Sequence, residues 1–209
     1  MLDRLGGPGI IKCLINKNNK FNIFVCDANE DASGRYLIPS KFRKIPKADD
    51  TEFINKLLEI CIADKIHIVL PLVTRELLIL SKAKKLFRNN GIEIIVSDFE
   101  AINILNDKGS IYSFLKEKEI SLPKFFFINN EEDLLKKIEY LGFPEKPFVI
   151  KPRISNGSRG VRIIDNNIDK LDLFLNKKPN SLYMTLDDLI KTISKKKLPP
   201  LIITEFLPG

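Results

Sequence analysis

Apolar residues along this chain recur in two rhythms, every third or fourth position and in short unbroken runs, and the two alternate. Phe53, Ile54, Leu57, Leu58 and Cys61 keep helical spacing behind residues 49–51, which are of types suited to cap a helix N-terminus. Leu77, Leu80, Ala83 and Phe87 predict a further helix, closed at Gly91 because glycine accepts the left-handed backbone a helix end requires. The runs His67 to Leu70 and Ile92 to Val96 are too short for helices and predict strands. Upstream, a turn at Gly6-Gly7-Pro8-Gly9 leads into a helix over residues 10–17 and a strand over residues 21–26 that ends at Asp27. Alternating helix and strand periods are the pattern of an α/β sheet with parallel strands, which predicts one such domain over residues 1–97.

Residues 98–122 predict a helical connector. Ser97 and Asp98 are placed to cap a helix over residues 100–105, and Asn106-Asp107 a helix starting near Lys108. Pro123 bars helical geometry at the residue before it and ends the region. A second domain over residues 123–209 then opens with a strand at residues 124–128. The stripe Leu134, Leu135, Ile138 and Leu141 follows, closed by Gly142, and then the strand Phe148-Val149-Ile150.

Composition narrows the function classes. With 209 residues, 44% of them hydrophobic, the chain is long enough for two modest cores. No apolar run approaches the ~18 residues that span a bilayer, and Asp3, Lys12 and the early glycines interrupt any secretory leader. A cytoplasmic protein with no membrane partner is therefore expected. Cys13, Cys26 and Cys61 are widely spaced within apolar patterns and are expected to be reduced core residues. The one histidine, His67, has no companions at metal-ligand spacing, so no metal-ligating residues are assigned. The net charge of +7 is spread over helix faces, as at Lys82, Lys84, Lys85, Lys136 and Lys137, and mixed with acids, which argues against a nucleic-acid surface.

The segment Lys151-Pro152-Arg153-Ile154-Ser155-Asn156-Gly157-Ser158-Arg159-Gly160-Val161 lies between two apolar runs and predicts a strand–loop–strand hairpin. Small residues let such a loop curl so that successive amides point inward as an anion nest, with the Ser155 and Ser158 hydroxyls as further donors. Lys151, Arg153 and Arg159 surround it with positive charge, and phosphate is the ligand that chemistry suits. A plain hairpin turn with exposed cations is the alternative. A Walker loop is excluded, because there the lysine follows the second glycine at a helix start, whereas here it precedes the loop.

On these residues the chain resembles ATP-grasp enzymes, and among them the large subunit of carbamoyl-phosphate synthase and related carboxylate-amine ligases. FVIKPRISNGSRGVRII resembles that family's nucleotide lid, the DK of Asn106-Asp107-Lys108 its earlier lysine, and ITEFLPG its adenine hinge. The resemblance implies a Rossmann-like pre-ATP-grasp domain followed by the α+β lid subdomain, with the core subdomain absent. It implies ATP as cofactor, with Lys108, Lys151 and Arg153 near its phosphates. The loop Ser155, Asn156, Gly157, Ser158, Arg159, Gly160 would fold over those phosphates, and Glu205, Phe206 and Leu207 would lie at the adenine edge. The implied reaction activates a small carboxylate or carbamate-like substrate as an acyl phosphate for attack by an amine, and homodimerisation is left open. The implied magnesium ligands belong to the core subdomain, beyond Gly209, so residues 1–209 alone are expected to be inactive, and the short first strand suggests a trimmed or divergent N-terminus.

Two other readings stay in view. Gly7-Pro8-Gly9 before a helix, with Asp27 ending the next strand, imitates an NAD(P) fingerprint, although Lys12 stands at the third glycine position. A non-catalytic nucleotide-binding or interaction fragment is the other. Thr74-Arg75-Glu76 follows a strand where open α/β sheets bind ligands, but helix capping explains it equally well.

Overall fold

The computed structural model describes residues 6–15, 21–155, 157–169, 175, 182–194 and 199–207. They form two compact units, Met1–Asn103 and Ile104–Gly209.

The first unit is built from α1 (Gly6–Ile15), β1 (Val25–Asp27), α2 (Ser33–Leu37), a 3-10 turn (Pro39–Lys41), β2 (Phe42–Lys44), α3 (Phe53–Ala63), β3 (Ile68–Val69), α4 (Thr74–Arg88), β4 (Glu93–Ile94) and the start of α5 (Phe99–Leu105). β1 pairs with β2 and β3 with β4, both parallel. The helical stripes of α3 and α4 close on the strands, burying Phe53, Leu57, Cys61, Leu80, Phe87, Ile92 and Ile94 in one core. Gly91, at φ 75°, ends α4 as its position implied: its N–H bonds the Arg88 carbonyl while Ile92 N–H reaches back to Phe87.

Several expectations are corrected here. Gly6 to Gly9 are not a turn but the opening of α1, where Pro8 sacrifices no hydrogen bond because first-turn amides have no partner inside a helix. Asp49–Thr51 do not cap α3; its N-cap is Glu52, whose amide is held by Asp50 Oδ1 at 2.9 Å. Thr74 lies inside α4 behind an uncapping Val73. Asp98 holds α5 through its backbone carbonyl, which accepts Ile102 N–H, while its carboxylate takes Lys84 Nζ at 2.8 Å. Cys13 is exposed rather than core, because it sits on the outer face of α1; Cys61 is buried and Cys26 half-buried. His67 is exposed and ends just before β3. The paired strands are shorter than their apolar runs, and the runs do not all mark burial: Ile68, Leu70 and Ile95 are exposed.

The second unit contains α6 (Lys108–Glu117), β5 (Phe125–Ile128), α7 (Glu131–Glu139), β6 (Phe148–Pro152), β7 (Arg162–Ile164), β8 (Tyr183–Met184), α8 (Leu186–Ile193) and β9 (Leu201–Glu205). Its sheet runs in the order β5-β9-β6-β7-β8 and is antiparallel except between β7 and β8. Side chains alternate across a strand, so one face presents Ile128, Phe148, Ile150, Ile164, Leu201 and Ile203 to Leu134 and Ile138 of α7 and Leu189 and Ile193 of α8. α7 and α8 begin with side-chain caps from Asn130 and Thr185. The registers Phe125↔Thr204↔Val149 and Phe127↔Ile202↔Lys151 put these residues on the opposite face.

Candidate functional site

That opposite face receives α6. Asp107 is its N-cap, accepting Gly109 N–H at 2.8 Å, as the sequence implied. Lys108 donates its backbone N–H to the Arg153 carbonyl at 3.0 Å, and its Nζ lies 3.0 Å from Ser155 Oγ and 3.4 Å from the Ser155 carbonyl. One helical turn on, Tyr112 stands edge to Phe125 at 4.9 Å between ring centroids. Lys151 Nζ sits 5.3 Å from the Tyr112 ring centre and 3.5 Å from its hydroxyl. Two lysines far apart in sequence, Lys108 and Lys151, thus flank one corner where α6 meets the end of β6.

Both lysines are held below the ordinary amine pKa. Burial is the main cause for Lys108, with the nearby Lys151 charge adding to it and Asp107 opposing; burial alone lowers Lys151. An ammonium partly stripped of water and set near another gains by acquiring an anion. Burial also raises the Tyr112 phenol. For Asp107, burial pushes upward, but the Arg153 guanidinium and the Gly109 and Ser110 amides outweigh it and hold the carboxyl below its usual range.

Beyond Ser155 the loop is exposed at Gly157, Ser158, Arg159 and Gly160, and Gly157, Ser158 and Gly160 have φ of 58°, 57° and 76°. A side chain on Gly160 would meet Pro152 Cγ at 2.7 Å, so glycine is needed there both for its backbone and for the close approach of the hairpin stem. Asn156 lies outside the described residues. Arg153, expected among the cations around the loop, instead spends its guanidinium on Asp107, with Nε 2.9 Å from Oδ1 and Nη2 2.6 Å from Oδ2. Glu205 ends β9 opposite Phe148, and its Oε1 accepts Lys124 N–H at 3.0 Å, which ties the strand end to β5. Phe206 is half-buried and Leu207 is exposed. The structure therefore gathers Lys108, Lys151 and Ser155 at one end of β6, with Glu205 to Leu207 toward the other.

Two residues at this corner went unnoticed in the sequence. Tyr112 was signalled only by its four-residue spacing from Lys108. Gly109 was signalled only by being a poor helix former inside a helix; a Cβ there would lie 2.3 Å from Arg153 Nε and 2.7 Å from Phe127 Cε1.

Comparison with known proteins agrees with this architecture. Residues 9–95 match the family described as PylC-like, N-terminal domain. Over 170 residues the chain is 28% identical to N5-carboxyaminoimidazole ribonucleotide synthase of Staphylococcus epidermidis, covering 80% of this chain and 41% of that protein. Over 86 residues it is 28% identical to the carbamoyl phosphate synthase large chain of Pseudothermotoga lettingae, covering 41% of this chain and 8% of that one. Among solved structures, N5-carboxyaminoimidazole synthetase from Staphylococcus aureus complexed with ADP superposes with a TM-score of 0.55 at 21% identity, covering 88% of this chain and 40% of that chain. D-alanine–D-alanine ligase from Bacillus anthracis gives a TM-score of 0.51 at 19% identity, covering 89% and 57%. The fold is the α/β fold of ATP-grasp ligases. The chain is thus similar in sequence to N5-carboxyaminoimidazole ribonucleotide synthase and carbamoyl phosphate synthase large chains, and it spans about two fifths, 41%, of the length of the synthase it matches.

Proposed function

We propose that this chain supplies the ATP-binding portion of an ATP-grasp ligase that activates a carboxylate or carbamate-like substrate as an acyl phosphate for attack by an amine. The observation that carries this reading is the meeting of two partly desolvated lysines at one corner, Lys108 with its amine on Ser155 at the root of a glycine-containing loop and Lys151 with its amine on Tyr112 one turn along the same helix. Their charges would neutralise phosphate oxygens, where fixed cations lower the cost of charge that grows during phosphoryl transfer. The 155–160 loop would close over the phosphates and keep water from a reactive acyl phosphate. The base would lie toward Glu205 and Leu207, met largely by backbone groups, because the Glu205 carboxylate already accepts Lys124 N–H.

Magnesium would supply further neutralisation of the charge that grows on the transferring phosphoryl group in such a reaction. Among the described residues no group of three or more His, Cys, Asp and Glu could hold a metal ion.

The test is ligand-induced stabilisation. Mg-ATP is expected to raise the melting temperature of the protein, and NAD(P) is not. Lys151→Ala removes a charge-assisted contact worth about 1.5–3 kcal/mol, so the Kd for Mg-ATP is expected to weaken roughly 10- to 150-fold. A response to NAD(P) alone would overturn the ligase reading.

A further inference from the structure

The cations around the hairpin do not share one role. We infer that Asp107 and Arg153 form a positioning clamp that ties the start of α6 to the root of the 155–160 loop, so that Arg153 serves the site through Lys108 and not by touching phosphate. The clamp itself rests on geometry; its effect on ligand binding rests on the nucleotide reading above.

Arg153 joins three segments at once. Its guanidinium grips Asp107 with two parallel hydrogen bonds, the fork geometry that suits arginine to a carboxylate. Its carbonyl accepts the Lys108 N–H, and its own N–H donates to the Pro200 carbonyl at 3.0 Å, just before β9. The pair is partly shielded, with side chains 31% and 18% exposed, and the guanidinium lies 5.1 Å from the Phe127 ring centre. The room for it exists because Gly109 lacks a Cβ. Lys108 sits inside this frame: its main chain is bonded to Arg153 and its amine reaches Ser155, so loosening the clamp moves the amine and the loop root apart. An arginine committed in this way leaves the phosphate charge to Lys108, Lys151 and the loop's Arg159.

Asp107 supplies the discriminating sign. Were Arg153 a phosphate ligand and Asp107 a bystander, removing a negative charge next to an anion site would tighten anion binding. If the pair is a clamp, removing it loosens binding. Asp107→Asn isolates the point, since asparagine caps a helix as well as aspartate and keeps a bond to Gly109 N–H while losing the ion pair. Arg153→Lys is its counterpart: it keeps a point charge for phosphate but cannot form the fork.

The experiment measures Mg-ATP affinity by calorimetry for the wild type, Asp107→Asn, Arg153→Lys and the double variant, each well below its melting temperature. Each single change is expected to weaken Kd about tenfold, and the double variant is expected to be no weaker than the worse single one, as for residues acting as a unit. Tighter or unchanged binding in Asp107→Asn, or losses that add in the double variant, would overturn the clamp. If the wild type fails to bind Mg-ATP, the proposed function falls and the clamp is judged by urea unfolding of the same four proteins. There a coupling of at least about threefold in the unfolding constant supports it, and additive effects overturn it.

Discussion

Gly109→Ala sets two effects of opposite sign against each other. Helix propensity favours alanine over glycine by up to about 1 kcal/mol, less in a first turn such as this. Against it, the new Cβ would lie 2.3 Å from Arg153 Nε, 2.7 Å from its Cζ and 2.7 Å from Phe127 Cε1. The guanidinium ends a flexible side chain and could swing aside, but only by giving up both bonds to Asp107. The Phe127 ring has less freedom, standing edge to Phe125 at 5.8 Å between centroids. Overpacking of this kind costs about 1–3 kcal/mol. Losing a partly exposed ion pair adds about 1 kcal/mol. The net is a destabilisation of about 2 kcal/mol, or roughly a 10 °C fall in melting temperature for a unit of about one hundred residues. The chain has no tryptophan, so unfolding is followed by far-UV circular dichroism in urea. Leu134→Ala, at a site with no exposure, should cost about 2–5 kcal/mol and marks the transition of the same unit. An alanine at 109 that leaves the midpoint unchanged, or raises it, would refute the idea that glycine is there for close approach.

The lysines predict opposite responses to pH. Their folded pKa values lie below the ordinary 10.5, so between the folded and unfolded values the unfolded chain binds more protons and stability rises with pH. Affinity for Mg-ATP falls across the same window as the amines lose charge, and calorimetry there in buffers of different ionisation enthalpy should show proton uptake on binding. Gly160→Ala and Gly91→Ala both place a side chain on left-handed backbone, at φ 76° and 75°. Only the first also meets an obstacle, Pro152 Cγ at 2.7 Å, while the second faces open space. Gly91→Ala is expected to cost about 1 kcal/mol by thermal unfolding and Gly160→Ala about 2 kcal/mol or more; equal costs would show that the hairpin stem yields freely.

Local pattern carried the elements. Leu134, Ile138 and Leu141, at spacings of four and three, marked the helix region under the sheet, Gly91 and Gly142 its kind of ending, and Asp107 the start of α6, because periodicity, left-handed backbone and capping depend only on residues a few positions apart. The same local signals misled where the context changed. Four small residues at 6–9 look like a turn but begin a helix, and Cys13, apolar by neighbourhood, lies on the outer face of that helix. What chemistry depends on was decided by pairing across the chain. Registering β6 against β9 chose the face on which Lys151 stands, α6 laid Lys108 and Tyr112 against that face, and the fold brought Asp107 to Arg153, 46 residues away. A guanidinium reads as a cation in sequence whatever it faces; only packing determined that this one meets a carboxylate, and with it which positive charges are left for a ligand.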